Sequence, residues 1–148
     1  MSKNLLKTEK ILPQNQWIDR LKTSEAVDLI INNQIESVKS MSSSSFQIET
    51  AINNIVSHIE NNKNARIVYV GAGTSGRLGV LDCVELPPTF GWENNQLGFM
   101  LAGGKDAMFK SSESAEDDEN LILKEIIEKK ISKHDVVICI SASGFTPY

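Results

Sequence analysis

Two short segments of this sequence combine residue types that could do chemistry: Gly71-Ala72-Gly73-Thr74-Ser75-Gly76-Arg77 and Ser141-Ala142-Ser143-Gly144-Phe145-Thr146-Pro147. Glycines let a backbone turn sharply and approach a ligand closely. Amides opening a following helix, together with the Thr74 and Ser75 hydroxyls, would cradle an anion. The second segment adds the hydroxyls of Ser141, Ser143 and Thr146 around Gly144, and Pro147 suits the first position of a helix. The first segment also satisfies G-x-G-x-x-G, which makes a dinucleotide the competing ligand. That motif requires an acidic residue at the end of the next strand, where this chain has Leu101-Ala102-Gly103-Gly104. A Walker loop requires lysine and a hydroxyl residue after its last glycine, and here Arg77 and Leu78 follow Gly76. A phosphate monoester held by hydroxyls and amides accounts for both segments. A nucleotide accounts only for the first, and a glycine-rich turn without a ligand is the bland alternative.

The elements that must position these loops follow from periodicity. Arg66 to Val70 is a short β-branched and aromatic run ending in glycine, the form of a buried parallel strand, and Leu97 to Ala102 and Val136 to Ser141 are a second and a third candidate. Between the last two, Asn120 to Ile131 reads as a helix with Leu121, Ile122, Ile126 and Ile127 on its apolar face. Strand and helix in alternation predict an α/β fold with a parallel sheet, in which ligands bind at the carboxyl ends of the strands. Both hydroxyl segments fall at such ends. Residues 65–148 form this part, and residues 1–64 read as a helical segment. There Thr23 is a candidate N-cap before the stripe Val27, Ile30, Ile31, Ile35, Val38 and Met41. Ser44 with Gln47 fits a capping box before a second stripe that includes Ile48, Ile52, Ile55, Val56 and Ile59. Both stripes read as ordinary core faces.

Bulk composition narrows the function classes. The chain has 148 residues, 41% hydrophobic and 23% charged, with a net charge of -4, as in a globular protein with a real core. That charge speaks against a nucleic-acid partner. No apolar run is long enough to span a membrane, and Met1 to Lys10 lacks an apolar signal-peptide core. Cys83 and Cys139 stand far apart in apolar surroundings and read as buried free thiols in a reducing compartment. Neither has metal-ligand spacing. His58 and His134 read as solvated surface residues.

A glycine-threonine-serine loop followed two units later by S-x-S-G-x-T resembles the sugar isomerase (SIS) domain. More specifically, GAGTSGRLGVLD, ELPPTFG, AGG, ESAED and SASGFTPY follow one another as in the N-acetylmuramic acid 6-phosphate etherase family. The N-terminal TEKIL, ID and TSEAVDLIINNQ segments are similar as well. The resemblance implies an SIS-type parallel sheet flanked by helices, and a sugar phosphate bound by Gly73, Thr74, Ser75, Gly76, Arg77, Ser141, Ser143, Gly144 and Thr146. It implies Glu85 and Glu116 as an acid/base pair, with Glu116 assigned as the base at C2 and Glu85 as the acid for the lactate oxygen. The products would be N-acetylglucosamine 6-phosphate and D-lactate. No cofactor or metal is implied; a cytoplasmic homodimer with its site near the subunit interface is. The noncatalytic glucokinase regulatory protein is a relative, so a binding-only or regulatory function is the alternative.

The chain departs from the family pattern at Leu86, where cysteine is usual, and at Phe145, where arginine is usual. Family members also continue well beyond Tyr148. The expectation is therefore an N-terminal portion, with the third strand's edge and part of one sheet face open, and little or no etherase turnover from the 148 residues alone.

Overall fold

A computed structural model of the chain describes residue 13 and residues 17–112 and 115–148. The TEKIL segment, the Met1 to Lys10 start, and Glu113 and Ser114 of the ESAED motif lie outside these residues. The chain falls into two compact units, residues 1–54 and 55–148.

The first unit contains α1 (Thr23–Ser42) and the opening turns of α2 (Ser45–Asn61). Thr23 is the first helical residue, not the cap. Lys22 occupies the cap position, and its N–H donates to the Glu25 carboxylate at 2.9 Å. The expected core stripe is not a core: Val27, Ile30, Ile31, Ile35, Val38 and Met41 are exposed, as are Ile48 and Ile52. Periodicity established the amphipathic helices correctly, but it reports only that one face is apolar, not what covers it.

The second unit is a parallel three-stranded sheet in the order β2-β1-β3. The strands are β1 (Ile67–Gly71), β2 (Leu97–Leu101) and β3 (Val136–Ile140). Gly71 stands level with Leu101 and Ile140, so the three carboxyl ends are flush. Helix α3 (Gly73–Phe90) leaves the end of β1 and covers one face, where Cys83 packs with Ile67 and Tyr69. Helix α4 (Glu119–Glu128) serves the other face through Leu121, Ile122 and Ile126, against Val68, Val70 and Met100. Its N-cap is Asp118, whose carboxylate accepts from the Asn120 and Leu121 N–H groups at 2.9 and 3.2 Å. Ile127, expected on the apolar face, is 76% exposed; Ile131 packs there instead, after the chain turns at Lys130 with φ 52°.

The amino ends of the strands are stitched by one ion pair. Arg66 donates to Asp135 through Nε and Nη2, both at 2.9 Å, and to the Lys129 and Lys130 carbonyls that end α4. The guanidinium and the Ser132 N–H hold the Asp135 carboxyl well below the usual carboxylate range. His58 and His134 are not solitary: His58 Nε2 donates to the His134 carbonyl at 2.8 Å, and His134 Nδ1 meets Asn62 Oδ1 at 3.2 Å. On the α4 side of β3, Val137 and Cys139 are exposed, and the strand pairs with β1 alone among the described residues.

Candidate functional site

The glycine segment divides its labour. Gly71 and Gly76 are packing residues: a Cβ on Gly76 would lie 2.5 Å from the Gly71 carbonyl oxygen, and one on Gly71 would lie 2.8 Å from the Ile140 oxygen. Together they let α3 start directly against β1. Gly73 has φ +54° with open space around it, a conformation that suits glycine. Thr74 and Ser75 follow in the first turn of α3, exposed and half-buried respectively. The amides of such a turn have no acceptor within their own helix. Arg77 faces elsewhere: its Nε and Nη2 donate to the carbonyls of Ala107 and Lys110 at 2.8 and 3.0 Å. It holds the segment after β2 against α3.

The second segment is organised by its own hydroxyls. Ser141 Oγ accepts from the Gly144 N–H at 3.1 Å and shares a hydrogen bond of 2.8 Å with Thr146 Oγ1. Ser143 Oγ accepts from the Phe145 N–H at 3.1 Å and lies 3.4 Å from Ser141 Oγ. Gly144, at φ +72°, makes the turn. The Phe145 side chain is 66% exposed and contributes no cation. A cavity of about 320 Å³ is lined by Val70, Gly71, Cys139, Ile140, Ser141, Gly144, Thr146 and Tyr148. It lies at the carboxyl ends of β1 and β3, which run side by side about 4.8 Å apart. Of the expected binding residues, Ser141, Gly144 and Thr146 line it; the first loop contributes Gly71.

Glu116 belongs to this end of the sheet. It lies in a single turn, Ala115–Asp117, just before α4. The Tyr148 N–H donates to its carbonyl at 3.1 Å, which ties the turn to the hydroxyl loop. Its side chain is exposed.

Glu85 does not join it. A Pro87-Pro88 pair is locally a helix breaker, yet α3 runs unbroken through both prolines to Phe90 and ends at Gly91 with φ 69°. The two prolines forgo two backbone donors, but their fixed φ is the helical one. Glu85 is therefore twelve residues from Gly73, roughly 18 Å along the axis at 1.5 Å per residue. Its neighbour Leu86 packs against the cluster of Ile67, Tyr69 and Cys83. Within one chain Glu85 stands near the amino ends, away from the loops. It is exposed, on one helix face with the exposed Leu78 and Leu81.

Two further features escaped the sequence reading. Cys139 is exposed and lines the cavity, whereas Cys83 is buried, as expected, and donates to the Gly98 carbonyl at 3.6 Å. Burial and the nearby Asp82 push the Cys83 thiol up. The Tyr69 hydroxyl donates to Asp82 at 2.5 Å across β1 and α3, and burial, then this bond, raise its pKa. Alternation along β3 marks Cys139 as facing away from Ile138 and Ile140, but nothing local says that this side is open.

The chain is similar over nearly its whole length to proteins named N-acetylmuramic acid 6-phosphate etherase. It is 41% identical over 143 residues to that of Crocosphaera subtropica, covering 97% of this chain and 46% of the relative. It is 39% identical over 148 residues to that of Francisella philomiragia, covering 100% and 49%. With the Deinococcus radiodurans protein the figures are 38% over 142 residues, 96% and 46%. The chain thus spans a little under half the length of these curated relatives, and the resemblance read from the motifs holds. No described helix is long and apolar enough to cross a membrane. Residues 47–148 match the glucokinase regulatory protein N-terminal SIS domain, and with its parallel sheet flanked by helices the chain belongs to that SIS domain family.

Proposed function

We propose that this chain supplies the phosphosugar-binding part of an N-acetylmuramic acid 6-phosphate etherase. The observation that carries the reading is the hydroxyl loop Ser141–Thr146 opening on a cavity at the strand ends, with Glu116 tied to it through Tyr148. The sugar phosphate takes its hydrogen bonds from the Ser141, Ser143 and Thr146 hydroxyls and the Gly144 amide, and from the first turn of α3 with Gly73, Thr74, Ser75 and Gly76. Arg77 acts by holding the neighbouring segment. Glu116 removes the C2 proton beside the open-chain aldehyde. The C3–oxygen bond then breaks, and Glu85 protonates the departing lactate oxygen. Water adds at C3 and a proton returns to C2, giving N-acetylglucosamine 6-phosphate and D-lactate.

The two carboxylates meet in a homodimer, where Glu85 of one copy serves the site of the other. Support comes from the offset of Glu85 from its own loops, and from its position beside exposed Leu78 and Leu81. The exposed stripes of α1 and α2 favour self-association too. A cytoplasmic setting follows the resemblance. A second reading, phosphosugar binding without catalysis, is favoured by one observation: of the pair Glu85 and Glu116, a single chain brings Glu116 to the ligand end and not Glu85.

Calorimetry with N-acetylmuramic acid 6-phosphate tests binding by the chain, and lactate release tests catalysis in a chimaera extended with the remaining half of the Crocosphaera subtropica relative. Ser141→Ala should weaken binding about ten- to a hundredfold, the loss of hydrogen bonds to a charged group. Unchanged affinity would remove the loop from the phosphate site. Binding without lactate release would favour the second reading.

A further inference from the structure

Tyr148 is 9% exposed although its loop neighbours Phe145 and Pro147 are exposed. Its ring belongs to the cluster of Val68, Val70, Ala72, Met100, Ala102 and Ala115. Its N–H donates to the Glu116 carbonyl. Ring and amide thus engage consecutive residues, Ala115 and Glu116, of one turn. Two residues earlier, Thr146 shares its hydrogen bond with Ser141, the serine that also receives the Gly144 amide. Tyr148, Thr146, Gly144 and Ser141 line the same cavity.

We propose that Tyr148 is a positioning residue that couples the hydroxyl loop to Glu116, so that the grip on a sugar phosphate and the placement of the carboxylate are set together. This rests on the phosphosugar reading of the loop. The ring supplies the anchor and the backbone supplies the link. The hydroxyl is buried, faces the Glu125 carboxylate and makes no hydrogen bond of ordinary geometry among the described residues, so the coupling does not run through it. Anything that orders the loop from Ser141 onward therefore also orders the turn that carries Glu116. A residue of merely structural importance would stabilise the sheet as a whole. Tyr148 packs on the sheet through its ring and, beyond that, joins two named segments.

The test is amide exchange and chemical-shift mapping by NMR on the 148-residue chain, in wild type, Tyr148→Phe and Tyr148→Ala, with and without N-acetylmuramic acid 6-phosphate. Tyr148→Phe should keep both the protection of Ala115–Asp117 and Ser141–Thr146 and the ligand-induced shift at the Glu116 amide. Tyr148→Ala should accelerate exchange in both segments together, by about tenfold or more, while β1 and α3 keep their protection. It should also abolish the shift at Glu116 even when ligand saturates the loop. If β1 loses protection in the alanine variant, Tyr148→Leu keeps an apolar anchor without the ring, and the same paired acceleration is expected. Acceleration of one segment alone, of neither, or a Glu116 shift that persists in the alanine variant would overturn the coupling. A wild type in which the ligand shifts no amide would remove the phosphosugar reading, and the exchange comparison would still decide the coupling.

Discussion

The carbonyl oxygen of Gly71 lies 2.5 Å from the position a Cβ would take on Gly76, with the Leu101 side chain equally close on another side. One contact is backbone and cannot swing away, so the helix would have to lift from the strand. Gly76→Ala should destabilise the second unit by about 2–3 kcal/mol or more, the upper part of the range for overpacking. Gly144→Ala meets no atom but keeps φ +72°, and should cost about 1–2 kcal/mol in backbone strain. Urea unfolding of both variants measures the difference; a smaller effect at Gly76 than at Gly144 would refute the packing argument.

Asp135 is 2% exposed at its side chain and is held by Arg66. Asp135→Asn removes the charge from hydrogen bonds to a partly exposed guanidinium and should destabilise the fold by about 1.5–3 kcal/mol. The pair also sets an acid limb. Since the folded carboxyl lies well below the usual range, its contribution is present in full above the unfolded value near ~4 and is lost progressively as pH falls below it. Melting followed from pH 6 to pH 2 should show this limb in wild type and a flatter one in Asp135→Asn.

The two cysteines should behave as different reagents. Cys139 is exposed and should react with a thiol probe at the rate of an accessible thiol, whereas buried Cys83, its thiol pushed up, should react only as fast as the unit opens. Because Cys139 lines the cavity, N-acetylmuramic acid 6-phosphate should slow its labelling and leave Cys83 unchanged. Equal protection of both thiols would indicate general stabilisation, not occupancy of the cavity.

Separation of Glu85 from the loops makes a prediction about mixtures. In the extended chimaera, Glu85→Gln and Glu116→Gln homodimers should each be inactive. Re-associated in equal amounts, they should recover about a quarter of wild-type turnover, since half the dimers are mixed and each has one intact site. No recovery would mean that both glutamates act within one chain.

Much of this was legible before the fold was known. The three strands declared themselves as short apolar runs within a residue of their observed ends; burial on both faces accounts for the continuous signal of β1, whereas β3 carries the same signal with Val137 and Cys139 exposed. The hydroxyl loops fell at carboxyl ends because α/β topology puts them there. Other features depend on what lies across the gap. Pro87-Pro88 reads locally as a stop, while the helix continues because packing of Cys83 and Leu86 holds it. Ile127 and Ile131 exchange places because Lys130 turns the chain. Tyr148 gave no signal of its own: its importance lies in a backbone bond to a residue thirty-two positions earlier.

Helix α3 runs without a break from Gly73 to Phe90, with its first turn at the carboxyl ends of the strands and Glu85 roughly 18 Å away. In a symmetric pair, each such rod would begin in one site and finish in the other. A rod does not stretch, so a ligand that pulls its first turn inward displaces a carboxylate at the neighbouring site. Two sites joined in this way share an equilibrium, and occupancy of the first should appear as a changed affinity or rate at the second, with a Hill coefficient different from unity.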